Sequence, residues 1–282
     1  MNPKLLALYG LKWNPFGSEV PLEALQCTPT LQNFCRRIEN LAREGGFALI
    51  TGEPGLGKSV ALRLLVDQLA AQRELKVGVL TRPQSHLHDF YRELGDLFGV
   101  SLTPHNRWAG SRVLRERWQA HIDAALFRAV LIIDEAQEML PSVLNELRLL
   151  SAAPLDSRSL LTVVLGGDLR LTEKFRAPEL VPLGSRIRVR LTLAPAAPHE
   201  LADSLRYALV QAGSPHLMTP ELIATLAEHA AGNLRILASM ASELLDAATQ
   251  RDLKQLDEKL YLETFAVPLT QDHARAKHAG RR

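Results

Sequence analysis

Nowhere in the 282-residue chain does an apolar run approach the ~18 residues that a membrane-spanning helix requires. The greasiest stretches, residues 129–133 and 159–165, are only strand-sized. Residues 1–12 lack an apolar segment followed by a small-residue cleavage site, so no secretory signal is read and a cytoplasmic chain is expected. Cysteine is scarce: Cys27 and Cys35 are too few for a disulfide framework and lack C-x-x-C spacing, which leaves them as inert thiols. There is no internal repeat and no low-complexity tract. Excess charge is also missing. A net charge of +2 gives no argument for a nucleic-acid partner from the total alone.

What is present is ordinary in amount and uneven in distribution. With 46% hydrophobic and 23% charged residues, the chain can bury a sizeable core, as one large and one small unit. Only eight of the 33 basic residues are lysine and the rest are arginine. That bias suits bidentate contacts to phosphate or carboxylate, although a GC-rich genome produces it too.

Turn-rich zones divide the sequence. Residues 9–29 carry Trp13-Asn14-Pro15-Phe16-Gly17, Pro21 and Pro29 and read as an irregular arm. Residues 193–198 form an Ala/Pro linker, and a polar, basic tail follows Pro268. Between arm and linker, short apolar runs at 47–51, 76–81, 129–134, 161–165 and 187–193 read as strands, with helical patterns such as 59–72 and 88–98 between them. Continuous apolar strands alternating with helices predict a mainly parallel sheet covered on both faces. Beyond the linker only helix periodicity remains, over 198–211, 219–230, 233–249 and 256–265. The expected division is an arm (1–28), an α/β domain (29–194), a small helical domain (195–266) and a flexible basic tail (267–282).

The strongest local signal is Gly52-Glu53-Pro54-Gly55-Leu56-Gly57-Lys58-Ser59, a full G-x-x-x-x-G-K-[ST] phosphate loop (Walker A) after a strand and at a helix start, with Val60 just behind it. Its glycines let backbone N–H groups curl around phosphates, Lys58 reaches the terminal phosphates and Ser59 holds Mg²⁺. The second signal is Val130-Leu131-Ile132-Ile133-Asp134-Glu135. Asp134 would complete the Mg²⁺ site and Glu135 would polarise an attacking water, unless the pair is only an acidic helix start. No N-K-x-D or T-K-x-D box reads guanine, and Thr172-Glu173-Lys174-Phe175 is a poor substitute, so ATP is the expected nucleotide.

Three arginine features follow. In Ser185-Arg186-Ile187-Arg188-Val189-Arg190-Leu191, alternation puts arginines on one face and apolar residues on the other. For Arg188 and Arg190 a solvated edge strand accounts for this pattern. Arg186, just beyond the loop expected at 177–184, is placed to reach a neighbouring subunit's γ-phosphate. Arg235, in Gly232-Asn233-Leu234-Arg235, opens a helix and can fold over the nucleotide. The alternative is an ordinary exposed first-turn arginine.

Taken together, these motifs resemble an AAA+ ATPase, in more detail the ExeA-like family with its general-secretion and TniB/TnsC transposition ATPases. The carrying residues are Tyr9-Gly10-Leu11-Lys12-Trp13-Asn14-Pro15-Phe16, the loop 52–59, Ile133-Asp134-Glu135-Ala136-Gln137, Ser185-Arg186-Ile187 and Gly232-Asn233-Leu234-Arg235. The resemblance implies a five-stranded parallel sheet in the order 5-1-4-3-2 with a helical lid, Asn14 and Phe16 near the adenine, and ATP between subunits of a homo-oligomer. The polar sensor usual at the end of the fourth strand is here Asp168, in Leu165-Gly166-Gly167-Asp168, or is absent.

Secretion ATPases of this type continue into a membrane span and an envelope-binding part, whereas this sequence stops soon after the lid. The leading expectation is therefore a regulator without a membrane partner that assembles on double-stranded DNA and recruits or activates a transposase or integrase. The alternatives are an ATPase energising a secretion or envelope complex, and a nucleotide-timed binding switch. Candidate DNA contacts are Arg82, which follows the second strand, and Arg107, Arg112 and Arg115, in a segment that mixes arginine with His105, Trp108 and Trp118. The competing reading of that segment is a solvated helix anchored by its tryptophans. His86, His88 and Asp89 read as a helix-start cluster, and no metal beyond Mg²⁺ is expected.

Overall fold

The computed structural model of the protein describes residues 3–100, 107–153 and 158–265. The chain begins with α1 (Pro3–Tyr9), α2 (Pro29–Glu44), β1 (Gly46–Thr51), α3 (Lys58–Ala70) and β2 (Leu75–Leu80). It continues with α4 (Leu87–Phe98), α5 (Arg107–Asp123), β3 (Arg128–Ile133), α6 (Pro141–Ser151), β4 (Leu161–Gly167), α7 (Leu169–Lys174), α8 (Val181–Gly184) and β5 (Ile187–Thr192). Four helices close it: α9 (Pro198–Ala212), α10 (Pro220–His229), α11 (Leu234–Gln250) and α12 (Glu258–Phe265). Among the described residues, no helix is long and apolar enough to cross a membrane.

The five strands form one parallel sheet in the order β2-β3-β4-β1-β5. This is the expected order read from the other edge. Strand alternation builds a core on each face. Phe47, Leu49, Leu131, Ile133, Val163 and Leu165 pack on one side with Phe90, Leu94, Leu114, Leu144 and Leu147. On the other side Ala48, Ile50, Val130, Ile132 and Val164 meet Phe34, Ile38, Leu62 and Leu65 from α2 and α3. The edge strand β5 buries Ile187 and Val189 and exposes Arg188 and Arg190.

Two compact units are present among the described residues: those of 21–197 with 231–236, and those of 3–20 with 198–230 and 237–265. The boundary at 197/198 falls in the expected linker. The arm expected over 1–28 divides between the two units at Val20. Its first part contains α1 and belongs to the helical unit, where Leu5, Tyr9 and Leu11 are buried and Lys12 N–H donates to the Ala212 carbonyl at 2.9 Å. The basic tail expected at 267–282 lies outside the described residues.

Candidate functional site

All strands of a parallel sheet end at one edge, and the segments that follow β1, β3 and β4 carry the motif residues. After Thr51 the chain curls through the loop and enters α3 at Lys58. Gly55 and Gly57 have φ of +90° and +94°, a backbone that side chains disfavour. No side chain caps α3, so the first-turn N–H groups of a 13-residue helix are left for an anion. Lys58 is only 7% exposed, and its ammonium donates to the carbonyls of Gly52 (2.8 Å) and Glu53 (2.9 Å).

Ser59 Oγ donates to Asp134 Oδ2 at 2.7 Å, joining the two motifs across 75 residues. A hydroxyl and a carboxylate side by side are hard oxygen donors of the kind Mg²⁺ takes while keeping several waters, so these residues fit that ion. Glu135, the next residue, is exposed, with its N–H on Asp134 Oδ1 at 2.9 Å. Its φ of +53° and ψ of 36° are left-handed, at a cost of about 1 kcal/mol for a residue with a side chain. The chain then makes a single 3-10 turn, Ala136–Glu138. Within it the buried Gln137 donates from Nε2 to Glu135 Oε2.

At the end of β4, Asp168 caps α7 by accepting Arg170 N–H at 2.9 Å and pairs with the Arg170 guanidinium at 2.7 Å. The hydrogen bond from Arg170 holds the Asp168 carboxyl below the usual carboxylate range. The carboxylate is thus engaged in its own helix. The Asp168 backbone N–H turns instead toward the Asp134–Glu135 side and donates to Gln137 Oε1 at 3.2 Å.

Arg186 does not follow a plain loop. Residues 181–184 form the short helix α8, with proline in its first turn. Arg186 Nη1 donates to the Pro182 carbonyl at 2.6 Å. Arg188 pairs with Glu44 at 3.1 Å, and Arg190 donates to the Gly184 carbonyl at 3.0 Å. Arg235 meets the phosphate loop through its backbone, N–H to the Gly55 carbonyl at 3.2 Å, while its side chain is exposed. The neighbouring Asn233 makes the side-chain contact. Its Nδ2 donates to the Pro54 carbonyl at 2.9 Å, and its Oδ1 caps α11 by accepting Arg235 and Ile236 N–H at 3.0 and 3.2 Å. The sequence alone gives Asn233 and Gln137 no role of their own. An asparagine just before an apolar helical run was the available signal for the first.

Asn14 and Phe16 lie in the helical unit, where Asn14 Oδ1 accepts Phe16 N–H at 3.0 Å. Arg82 is exposed after β2. Arg112 pairs with Glu116 at 2.6 Å, and Arg115 donates to the Ala152 carbonyl at 2.7 Å. Trp118, 1% exposed, packs edge-on against Phe98 at 5.3 Å and anchors α5 to the core. His105 lies outside the described residues, as do the side chains of Arg107 and Trp108.

Residues 41–175 match the AAA domain family. Sheet order, phosphate loop and matched domain together define a P-loop AAA+ fold. Among individual proteins, general secretion pathway protein A of Aeromonas hydrophila is 34% identical over 211 residues, 73% of this chain and 38% of that protein. The matched stretch therefore covers well under half of that relative's length. Two solved structures share the fold. Cdc6p from Pyrobaculum aerophilum has a TM-score of 0.69 and 15% identity, covering 86% of this chain and 67% of that one. Drosophila ORC bound to DNA has a TM-score of 0.67 and 18% identity, covering 94% and 66%.

Proposed function

We propose that the protein is a Mg²⁺-dependent ATPase that works as an oligomer and energises a secretion or envelope complex. The supporting observation is the 2.7 Å bond from Ser59 to Asp134, which seats the phosphate loop against the acidic pair. Lys58 and the loop N–H groups bind the β- and γ-phosphates. Ser59 and Asp134 would hold Mg²⁺, which supplies charge neutralisation on the phosphate oxygens when bound. Glu135 orients a water and accepts its proton. The water oxygen bonds to the γ-phosphorus as the bond to the β,γ-bridging oxygen breaks, releasing ADP and phosphate. Arg186 of a neighbouring copy would neutralise charge building on the transferred group, and Arg235 would couple nucleotide to the helical unit. Asn14 and Phe16 are proposed for the adenine.

The secretion role rests on similarity to the Aeromonas hydrophila protein, which favours the alternative set out from the sequence over transposition. Assembly on duplex DNA with recruitment of a transposase is the second reading, supported by the exposed Arg82 after β2. It is weakened by Arg112 and Arg115 being engaged within the chain. Phosphate release from ATP, measured with Mg²⁺ and with EDTA, tests the ATPase, and no Mg²⁺-dependent release refutes it. Imaging with ATP on duplex DNA at two salt concentrations separates the roles. DNA-dependent assemblies weakened by salt would overturn the secretion reading in favour of the second.

A further inference from the structure

The buried amide of Gln137 lies between the two chain ends that flank the proposed hydrolytic centre. Its Oε1 accepts the Asp168 N–H at 3.2 Å, from the position immediately after β4. Its Nε2 donates to Glu135 Oε2, from the position two residues after β3. The orientation of the amide follows from its partners. A backbone N–H only donates and a carboxylate only accepts, so Oε1 must face Asp168 and the NH₂ must face Glu135.

The turn that carries Gln137 is held from the same side. Lys174, the last residue of α7, donates from Nζ to the carbonyls of Gln137 and Met139, both at 2.6 Å. Arg170 on α7 adds a 2.9 Å ion pair to Glu138. Glu135 itself is exposed and has a left-handed backbone, so it has little packing of its own to fix its carboxylate.

We infer that Gln137 is a positioning residue for hydrolysis, holding the Glu135 carboxylate in its water-orienting geometry and tying it to the end of β4. With the Asp168 carboxylate engaged by Arg170, the link between β4 and Glu135 runs through this amide. The inference rests on the hydrolytic reading of Glu135 given above.

The test uses the full chain and two variants. Gln137→Met keeps the volume and removes both hydrogen bonds. Gln137→Glu keeps an acceptor for Asp168 but sets a like charge against Glu135. Both variants should hold a fluorescent ATP analogue within about 2-fold of wild type, because neither touches the loop. The turnover number should fall about 10- to 100-fold in Gln137→Met, and further in Gln137→Glu, with KM little changed. In a Glu135→Gln background, Gln137→Met should lower turnover no further, since it acts through Glu135. Lys174→Met, which loosens the turn without altering the amide, should reproduce part of the loss and covers the case in which Gln137→Met does not fold. Wild-type turnover in a folded Gln137→Met, or an additional loss in the double variant, overturns the positioning role alone. Wild-type turnover in Glu135→Gln overturns the hydrolytic reading beneath it.

Discussion

At the scale of single residues, the clearest contrast is between the two thiols. Cys35 is fully buried, and desolvation pushes its thiol up to about 11, whereas Cys27 is exposed. Iodoacetamide at pH 8 should alkylate Cys27 in the native protein and Cys35 only after denaturation. Mass spectrometry of the two peptides checks this. The sign of the linked pH effect is fixed as well. As pH rises the unfolded thiol ionises first, so the share of stability from keeping Cys35 neutral falls as pH climbs toward about 11. Gly55 makes a second prediction. Added there, a β-carbon would overlap Asn233 Oδ1, on a backbone with φ of +90°. Gly55→Ala should weaken ATP binding at least ~10-fold, since the backbone it strains is the phosphate cradle; titration with a fluorescent analogue reads it. The loop, Asp134 and Glu135 were legible in the sequence because each motif sits at a fixed offset from its strand. The contacts of Gln137 were not, because they arise from Asp168 being brought beside it by pairing of β3 with β4.

Among the elements, α2 shows how one capping residue secures a face of the sheet. Thr28 accepts Leu31 N–H at 3.3 Å and Pro29 opens the helix, whose apolar side packs Phe34 and Ile38 beneath β1. Thr28→Ala should cost about 1 kcal/mol, read as a lower midpoint in urea with an unchanged slope. Each strand expected from the sequence is present with its ends shifted by no more than two residues, because β1, β3 and β4 are nearly continuous apolar runs and β2 and β5 keep apolar residues at alternate positions. The helices not read from the sequence include the sixteen-residue α2, between the arm and β1, and two short ones. α8 has four residues and α1 has seven, too few for helical periodicity to separate them from an irregular stretch. The edge position of β5 was foreshadowed by its alternating arginines, since exposed charge on an outer strand discourages further pairing.

For the whole molecule, the division into an α/β unit and a helical unit was readable from the loss of strand signals after residue 193. The union of residues 1–20 with the helical unit was not, because it depends on long-range burial of Leu5, Tyr9 and Leu11. Oligomeric action makes its own prediction through Arg186. If that arginine acts on a neighbour's nucleotide, turnover per subunit rises with protein concentration in wild type and stays low in Arg186→Ala. Mixing Arg186→Ala with Lys58→Ala should restore part of the activity, because each lacks what the other supplies. The claim beneath all of this is that one site first holds the triphosphate and then cleaves it. The most direct measurement compares ATP affinity with phosphate release in Lys58→Ala and Glu135→Gln. Lys58→Ala should lose both, whereas Glu135→Gln should bind as wild type and release phosphate about 100-fold more slowly. Tight ATP binding by Lys58→Ala, or wild-type release by Glu135→Gln, would contradict it.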